Sequence, residues 1–500
     1  MIERLAAAGT GLPTVFVGER SLHSRYDPAG EAEKYVKTLN LGEHGEKIRF
    51  FILIEPGLGY TIPVLRRLFP RAKFAALHAS DFFTRFPTEA LENTVAWSPG
   101  SGLPLGEFLE REIPDAGIET VRIVEWRPAL AVYGAAYKDL LEGAVSFMRR
   151  TDANVRTVKG FGRRWFRNFF KNLGILRFFF RVSPGSLPWI ITGAGPGLEE
   201  VLPVIADMRR EGAMVLAAAS SVPALMERGI LPDLVISTDG GGWARFHLWE
   251  AIRRTSGRPL FLAASLTAAL PWQCGGFPIL PLSDGSLWQE AVLETLGIPR
   301  VVFPQRGTVT ASALDLALRC TSGGVFLAGM DLANKDIKTH ARPYAFDRFR
   351  DERAVRLAPR YSLAFARAGQ IAASGSHRVY AEWFGGQLAA YPSRIRSLGK
   401  NNPVFDALPG GNTPSSSGAA CGTRRVHIET GVFRTMPDAS GEAVRVLAHL
   451  LNLAGPAESL IRELGPLLLP GDGEIPPRRL LKEIEALAVR KRTGEGTPDE

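Results

Sequence analysis

Four short strings contain the residues whose types and spacing can do chemistry. The first is 193-GAGPGL-198. Gly193, Gly195 and Gly197 let a backbone approach phosphate oxygens, and a following helix would offer unpaired N–H groups and its positive dipole end to an anion. Pro196 pre-sets the first helical turn. An apolar strand just before this loop and a helix just after it are what such a site needs; without a ligand the same string is a tight βα turn. The second string is 234-LVISTDGGG-242. It sets Asp239 at the carboxyl end of a strand, where open α/β sheets bind ligands. Asp239 can hold a ribose hydroxyl, a sugar or a metal, or it can cap its own loop. The third is 306-RGTVTAS-312, in which Thr308 and Thr310 open a helix beside Arg306; they can bind a phosphate or sugar acid, or act as N-caps. The fourth runs from Asp331 to His340. A strand-end carboxylate with a nearby imidazole suggests an acid/base pair or a leaving-group clamp, the alternative being a solvated loop histidine. Ser220 and Ser221 follow another strand and would face the same edge, as donors to base or ribose or as helix caps.

These residues need a parallel sheet to position them. From 188-PWIIT-192 the chain alternates strand and helix through 213-AMVLAAAS-220, 234-LVISTD-239, 259-PLFLAAS-265 and 324-GVFLAGMDL-332. An earlier unit, 48-KIRFFILIEPGLGYTIPVLRRLF-70 followed by 73-KFAALHA-79, reads as strand, Gly-rich turn, helix, strand. Its turn 56-PGLGY-60 reads as structural, because His78 stands where an acidic ribose partner would be expected. The expected fold class is therefore α/β, with two Rossmann-like parallel-sheet domains and a helical C-terminal region. The expected boundaries are 1–145 for the first domain, 146–185 for a helical connector, 186–345 for the nucleotide-binding domain and 346–500 for the helical region, with a linker near 408–422. In the connector Trp165, Phe166, Phe169, Phe170 and Leu173 share one helical face, with Arg163, Arg164, Arg167 and Lys171 around the rest. Such a helix packs between domains or lies on an anionic membrane.

The net charge of +9 fits a phosphate-bearing partner, but the basic residues are dispersed, which argues against nucleic acid. Three separated cysteines, Cys274, Cys320 and Cys421, have no metal spacing and suit a reducing compartment. With no signal-peptide pattern and no long apolar run, the expected location is the cytoplasm, with no transmembrane segment.

In order, GAGPGL, PDLVISTDGG, GTVTASALDLAL and GMDLA with a downstream His340 resemble the MptE-like domain. That domain is shared by 6-hydroxymethylpterin diphosphokinases and bacterial motility accessory factors (Maf proteins). SLHSRYDPAGEAEKY and GRRWFRNFFKN fit the Maf-like layout. The resemblance implies a glycosyltransferase that moves a nonulosonic (sialic-like) acid from a CMP-activated donor to Ser or Thr of flagellin, with no cofactor required. It assigns Gly193, Gly195 and Pro196 to nucleotide phosphate, Asp239 to donor or acceptor positioning, and Asp331 and His340 to the active site. The related sialyltransferase loop commonly reads GNGPS; here Ala194 replaces the Asn and Gly197 the Ser, removing two side-chain hydrogen bonds. A second expectation is a diphosphokinase using ATP and Mg²⁺, with Asp239 and Asp331 as metal ligands. A third is a non-catalytic nucleotide- or flagellin-binding protein.

Overall fold

A computed structural model describes residues 3–41, 48–85, 88–113, 118–255, 260–302, 307–335, 337–373, 376–391, 393–399, 428–432, 438–469 and 475–489. Arg306, Cys421 and the expected linker at 408–422 lie outside the described residues. The chain divides into two compact units, residues 1–160 and 161–500.

The first unit opens with an antiparallel sheet of β1 (Glu3–Ala7), β2 (Pro13–Val17) and β3 (Arg20–Ser21). The sequence reading did not anticipate it, because its strands are short and their apolar residues do not alternate. A parallel sheet follows, with β4 (Phe50–Ile54), β5 (Lys73–Leu77), β6 (Val95–Trp97) and β7 (Val121–Glu125) in the order β6-β5-β4-β7. β4 is buried along its whole length, as its unbroken FFILI run requires of a central parallel strand. The 56–60 turn leads into α1 (Thr61–Leu68) and is filled by protein. His23 Nε2 accepts the Leu58 N–H at 3.0 Å, and a Cβ on Gly57 would collide with that imidazole. Glu55, fully buried, has a left-handed φ of 46° at the end of β4. Its carboxylate accepts the Ala79 N–H and lies 3.3 Å from His78 Nδ1, tying the ends of β4 and β5 together.

Helix α2 (Ala135–Leu173) runs across the division between the units. Tyr137, Leu140, Ala144 and Phe147 join the core of the first unit, and Phe166, Phe169, Phe170 and Leu173 that of the second. Phe166 and Phe169 pack on Trp288, with ring centroids 5.2 and 4.7 Å apart. The aromatic face is thus committed to a protein core. Among the described residues no helix is long and apolar enough to cross a membrane.

The second unit is built on one large sheet. Its strands are β8 (Phe178–Val182), β9 (Trp189–Thr192), β10 (Met214–Ala218), β11 (Leu234–Ser237), β12 (Leu262–Ser265), β13 (Pro278–Ser283), β14 (Val301–Val302), β15 (Val325–Ala328), β16 (Ile395–Ser397) and β17 (Ile428–Val432). The order is β16-β15-β9-β10-β11-β12-β13-β8-β17, with β14 also on β13. Every pairing is parallel except β17 on β8. Helices cover both faces: α3 (Leu198–Arg210), α4 (Arg245–Arg254), α5 (Val309–Cys320), α6 (Asp347–Arg353), α7 (Arg360–Ala373), α8 (Ser376–Ala390), and the C-terminal α9 (Ala439–Leu451), α10 (Pro456–Leu468) and α11 (Pro477–Val489). Two expectations change. Residues 178–182, read as part of a connector, are a sheet strand, and the region after 345, read as helical, contributes β16 and β17. All three strands are short and pair with distant segments, so local periodicity does not disclose them.

Candidate functional site

Chain order runs from β9 outward through β10, β11, β12 and β13, then returns by α5 to place β15 on the other side of β9. The loops after β9 and β15 therefore flank a switch point at the carboxyl edge, where such sheets bind ligands.

The loop after β9 is occupied by the protein itself. Gly193 N–H donates to Ala328 O and Gly195 N–H to Gly329 O, each at 2.8 Å. Gly197 N–H meets both carboxylate oxygens of Asp331 at 3.1 Å. A Cβ on Gly195 or Gly197 would overlap that carboxylate, and one on Gly193 would overlap Gly329 O. The three glycines admit Asp331 and the β15 backbone rather than a phosphate, and Pro196 is buried. Glu199 and Glu200 stand in the first turn of α3 and bind Lys338 and Lys335 of the next loop. With three carboxylates around it, the positive end of α3 is already compensated. Burial pushes the Asp331 carboxyl up, against the Gly197 N–H bond that pulls it down.

Of the two serines, Ser221 is committed to the protein rather than presented to a ligand. Ser221 is fully buried, and its hydroxyl bonds to Thr192 Oγ1 and to the carbonyls of Thr192 and Ala218. Ser220 is half-buried beside it. Thr308 is an N-cap: its Oγ1 accepts the Ala311 N–H at 3.0 Å and lies 3.2 Å from Thr310 Oγ1. The N-terminus of α5 lies beside the Gly193 turn, since a Cβ there would come within 3.1 Å of the Thr310 methyl. Unlike α3, α5 has no acidic residue in its first turn.

Asp239 is exposed at the end of β11 and caps its own loop, its Oδ1 accepting Gly241 N–H at 2.7 Å. Its charge acts on two tyrosines that sequence reasoning missed. Burial raises the Tyr344 and Tyr380 phenols, and the Asp239 charge raises both further. His340 stacks on Tyr344 at 4.1 Å with 19° between the planes, and its Nδ1 lies 2.8 Å from Thr339 Oγ1. His247 Nε2 is 3.4 Å from the Tyr344 hydroxyl, and burial lowers that imidazole to about 4. Thr339, His340, Tyr344 and Arg350 line a small cleft. The structure thus gathers His340, Tyr344 and His247, and sets Tyr380 beside Gly307 at the head of α5.

Residues 163–336 match the family model described as 6-hydroxymethylpterin diphosphokinase MptE-like. The matched residues all lie in the second unit. An uncharacterized protein of Treponema pallidum (strain Nichols) is 30% identical over 282 residues, 56% of this chain and 60% of that protein. The match therefore spans less than two thirds of this relative's length. The fold is similar to the solved MAf glycosyltransferase from Magnetospirillum magneticum AMB-1, with a TM-score of 0.55 at 13% identity, covering 97% of this chain and 86% of that one.

The C-terminal part of α2 also holds the loops at the carboxyl edge of β11 and β12. Asn168 Nδ2 donates to the carbonyls of Gly240 (3.2 Å) and Thr267 (3.0 Å), and Asn172 Nδ2 to those of Leu266 and Ala268 (both 2.8 Å). Trp165 lies against Gly240, where a Cβ would collide with its ring. Two asparagines four residues apart on the aromatic face were the available sequence signal.

Proposed function

We propose that the MptE-like domain is the catalytic part of a glycosyltransferase that moves a nonulosonic acid from a CMP-activated donor to a Ser or Thr of flagellin. The observation that carries the reading is an imidazole, His340, stacked on the buried Tyr344 beside the carboxyl edge of a parallel sheet, with the exposed carboxylate of Asp239 at the end of a strand of that same edge. That is an acid and a base on one platform, as displacement at an anomeric carbon needs. The acceptor oxygen bonds to the anomeric carbon as the bond to the CMP phosphate oxygen breaks. Asp239 takes the acceptor hydroxyl proton, and His340, protonated, neutralises the leaving phosphate. The N-terminus of α5, free of acidic neighbours in its first turn, is the better seat for that phosphate than the compensated end of α3.

The description of the matched family model favours the diphosphokinase reading, but the geometry of one of its two expected metal ligands does not. Asp331, which would join Asp239 on Mg²⁺, turns both oxygens to Gly197 N–H. Thermal shift against CMP and ATP, with and without Mg²⁺, tests the choice. CMP stabilisation without metal supports the transferase, ATP stabilisation only with Mg²⁺ overturns it, and no shift points to a non-catalytic binding protein. With CMP-nonulosonate and flagellin, Asp239→Asn and His340→Ala should each lower transfer by about a hundredfold or more at unchanged melting temperature. Full transfer by either variant sinks the assignment.

A further inference from the structure

Beyond the cleft the second unit presents an aromatic strip. Trp243 is 58% exposed and Phe246 37%, large apolar side chains left facing water immediately after the Asp239 loop. Trp243 packs on Phe246 (centroids 5.6 Å), Phe349 (5.4 Å) and Phe346 (6.2 Å). Phe346 touches Tyr344 (5.5 Å), the ring on which His340 stacks. A continuous aromatic surface thus leads from open solvent to the reacting edge. A contiguous apolar patch of this kind, centred on tryptophan, is the usual mark of a protein-binding surface.

The charge around the strip selects its partner. Arg245 lies over Phe246 at 5.4 Å and Arg353 over Phe349 at 4.0 Å. Among the described residues no carboxylate pairs with either side chain, whereas Arg342 and Arg360 pair with Asp347 and Arg348 with Glu352. A third guanidinium, Arg350, lies over the Tyr344 ring at 5.7 Å, so cations without a carboxylate partner among the described residues stand along the aromatic rings. A ligand covering those rings brings carboxylates against guanidinium groups that its own bulk desolvates.

We propose that this strip docks a polypeptide segment in which apolar side chains alternate with carboxylates, and that it delivers one residue of that segment to the Asp239 and His340 edge. The inference rests on the transferase reading for the segment's role as acceptor, but the docking itself is measurable without transfer.

The test uses the full chain and a fluorescent synthetic peptide alternating Asp with Leu and Phe around a central Ser, beside the same peptide with Lys for Asp. The expected result is binding of the acidic peptide, about tenfold or more weaker for the Lys peptide, for Trp243→Ala and for Arg245→Glu/Arg353→Glu. Trp243→Tyr restores it, which separates docking from misfolding, and the CMP thermal shift stays as in the wild type. Equal binding of the two peptides, or a Trp243→Ala variant that binds normally, overturns the proposal. So does Trp243-dependent flotation with phosphatidylserine vesicles, or Trp243-dependent dimerisation in sedimentation, where the acidic peptide is not bound. Peptide binding without any CMP response would leave docking intact and sink the transferase instead.

Discussion

Asp331 shows how a residue can sit in a catalytic motif and act as a fastener. Its carboxylate takes the Gly197 N–H at the start of α3, through which a phosphate would have been met, and the glycines around it are the space it occupies. Asparagine is nearly isosteric and can still accept from Gly197 N–H. Asp331→Asn should therefore fold with a stability close to wild type. It should also lose the Asp331 part of the pH dependence: a carboxyl raised by burial is favoured in its protonated form, so its contribution to wild-type stability falls as pH rises from the ordinary carboxylate value through the raised one. Asp331→Ala strands the Gly197 N–H and should cost about 1–3 kcal/mol in chemical denaturation. If Asp331→Asn keeps both melting temperature and transfer, the residue is structural; loss of transfer at unchanged stability would return it to the active site. The sequence showed that Asp331 and the GAGPGL loop belong together, but not that they face each other. Strand-end position indicates the edge of the sheet and leaves open whether a side chain points to a ligand or back into the turn. Tyr344 and His247 were less legible still. They lie 97 residues apart, and only the fold brings imidazole and phenol to hydrogen-bonding distance.

At the scale of elements, most of the parallel sheet was readable. The apolar runs at 50–54, 73–77, 189–192, 214–218, 234–237 and 325–328 are strands, each bounded by the turn residues that announced them. Strands of two to five residues with mixed composition, such as β14, β16 and β17, were not, because their stability comes from the neighbour they pair with rather than from their own pattern. Helix α2 lies between these cases. Its aromatic face was visible, but its polar contribution was not: Asn168 and Asn172 satisfy four loop carbonyls that face the helix from the ends of β11 and β12. Removing Asn172 orphans two of them in a buried setting. Asn172→Ala should cost about 2–4 kcal/mol in denaturant unfolding. It should also speed hydrogen exchange of the Gly241 and Ala269 amides, which bond to the Asp239 side chain and carbonyl. A loss of stability with unchanged exchange there would mean that the asparagine only fills space and does not steady the Asp239 loop.

Across the whole molecule, each unit has its own apolar core and a histidine whose imidazole is held below its ordinary value by burial, and this predicts how acid should act on it. In the first unit His23 Nε2 must be unprotonated to accept from Leu58 N–H, and burial lowers the imidazole to about 3. In the second, His247 is lowered to about 4. For both, the folded value lies below the ordinary one of 6.5, so the unfolded chain binds more protons between the two. Stability is complete above that ordinary value. It then falls as pH drops, at up to about 1.4 kcal/mol per pH unit for each histidine, until the folded value is reached. Because the cores are separate, calorimetry should resolve two transitions, and both should move down as pH is lowered from 7 toward 5. His23→Gln should lower the transition of the first unit at neutral pH and flatten its dependence, leaving the other slope in place. His247→Gln should do the reverse. If one substitution flattens both slopes, the units unfold as one body, and the assignment of a separate acid-sensitive core to each is wrong.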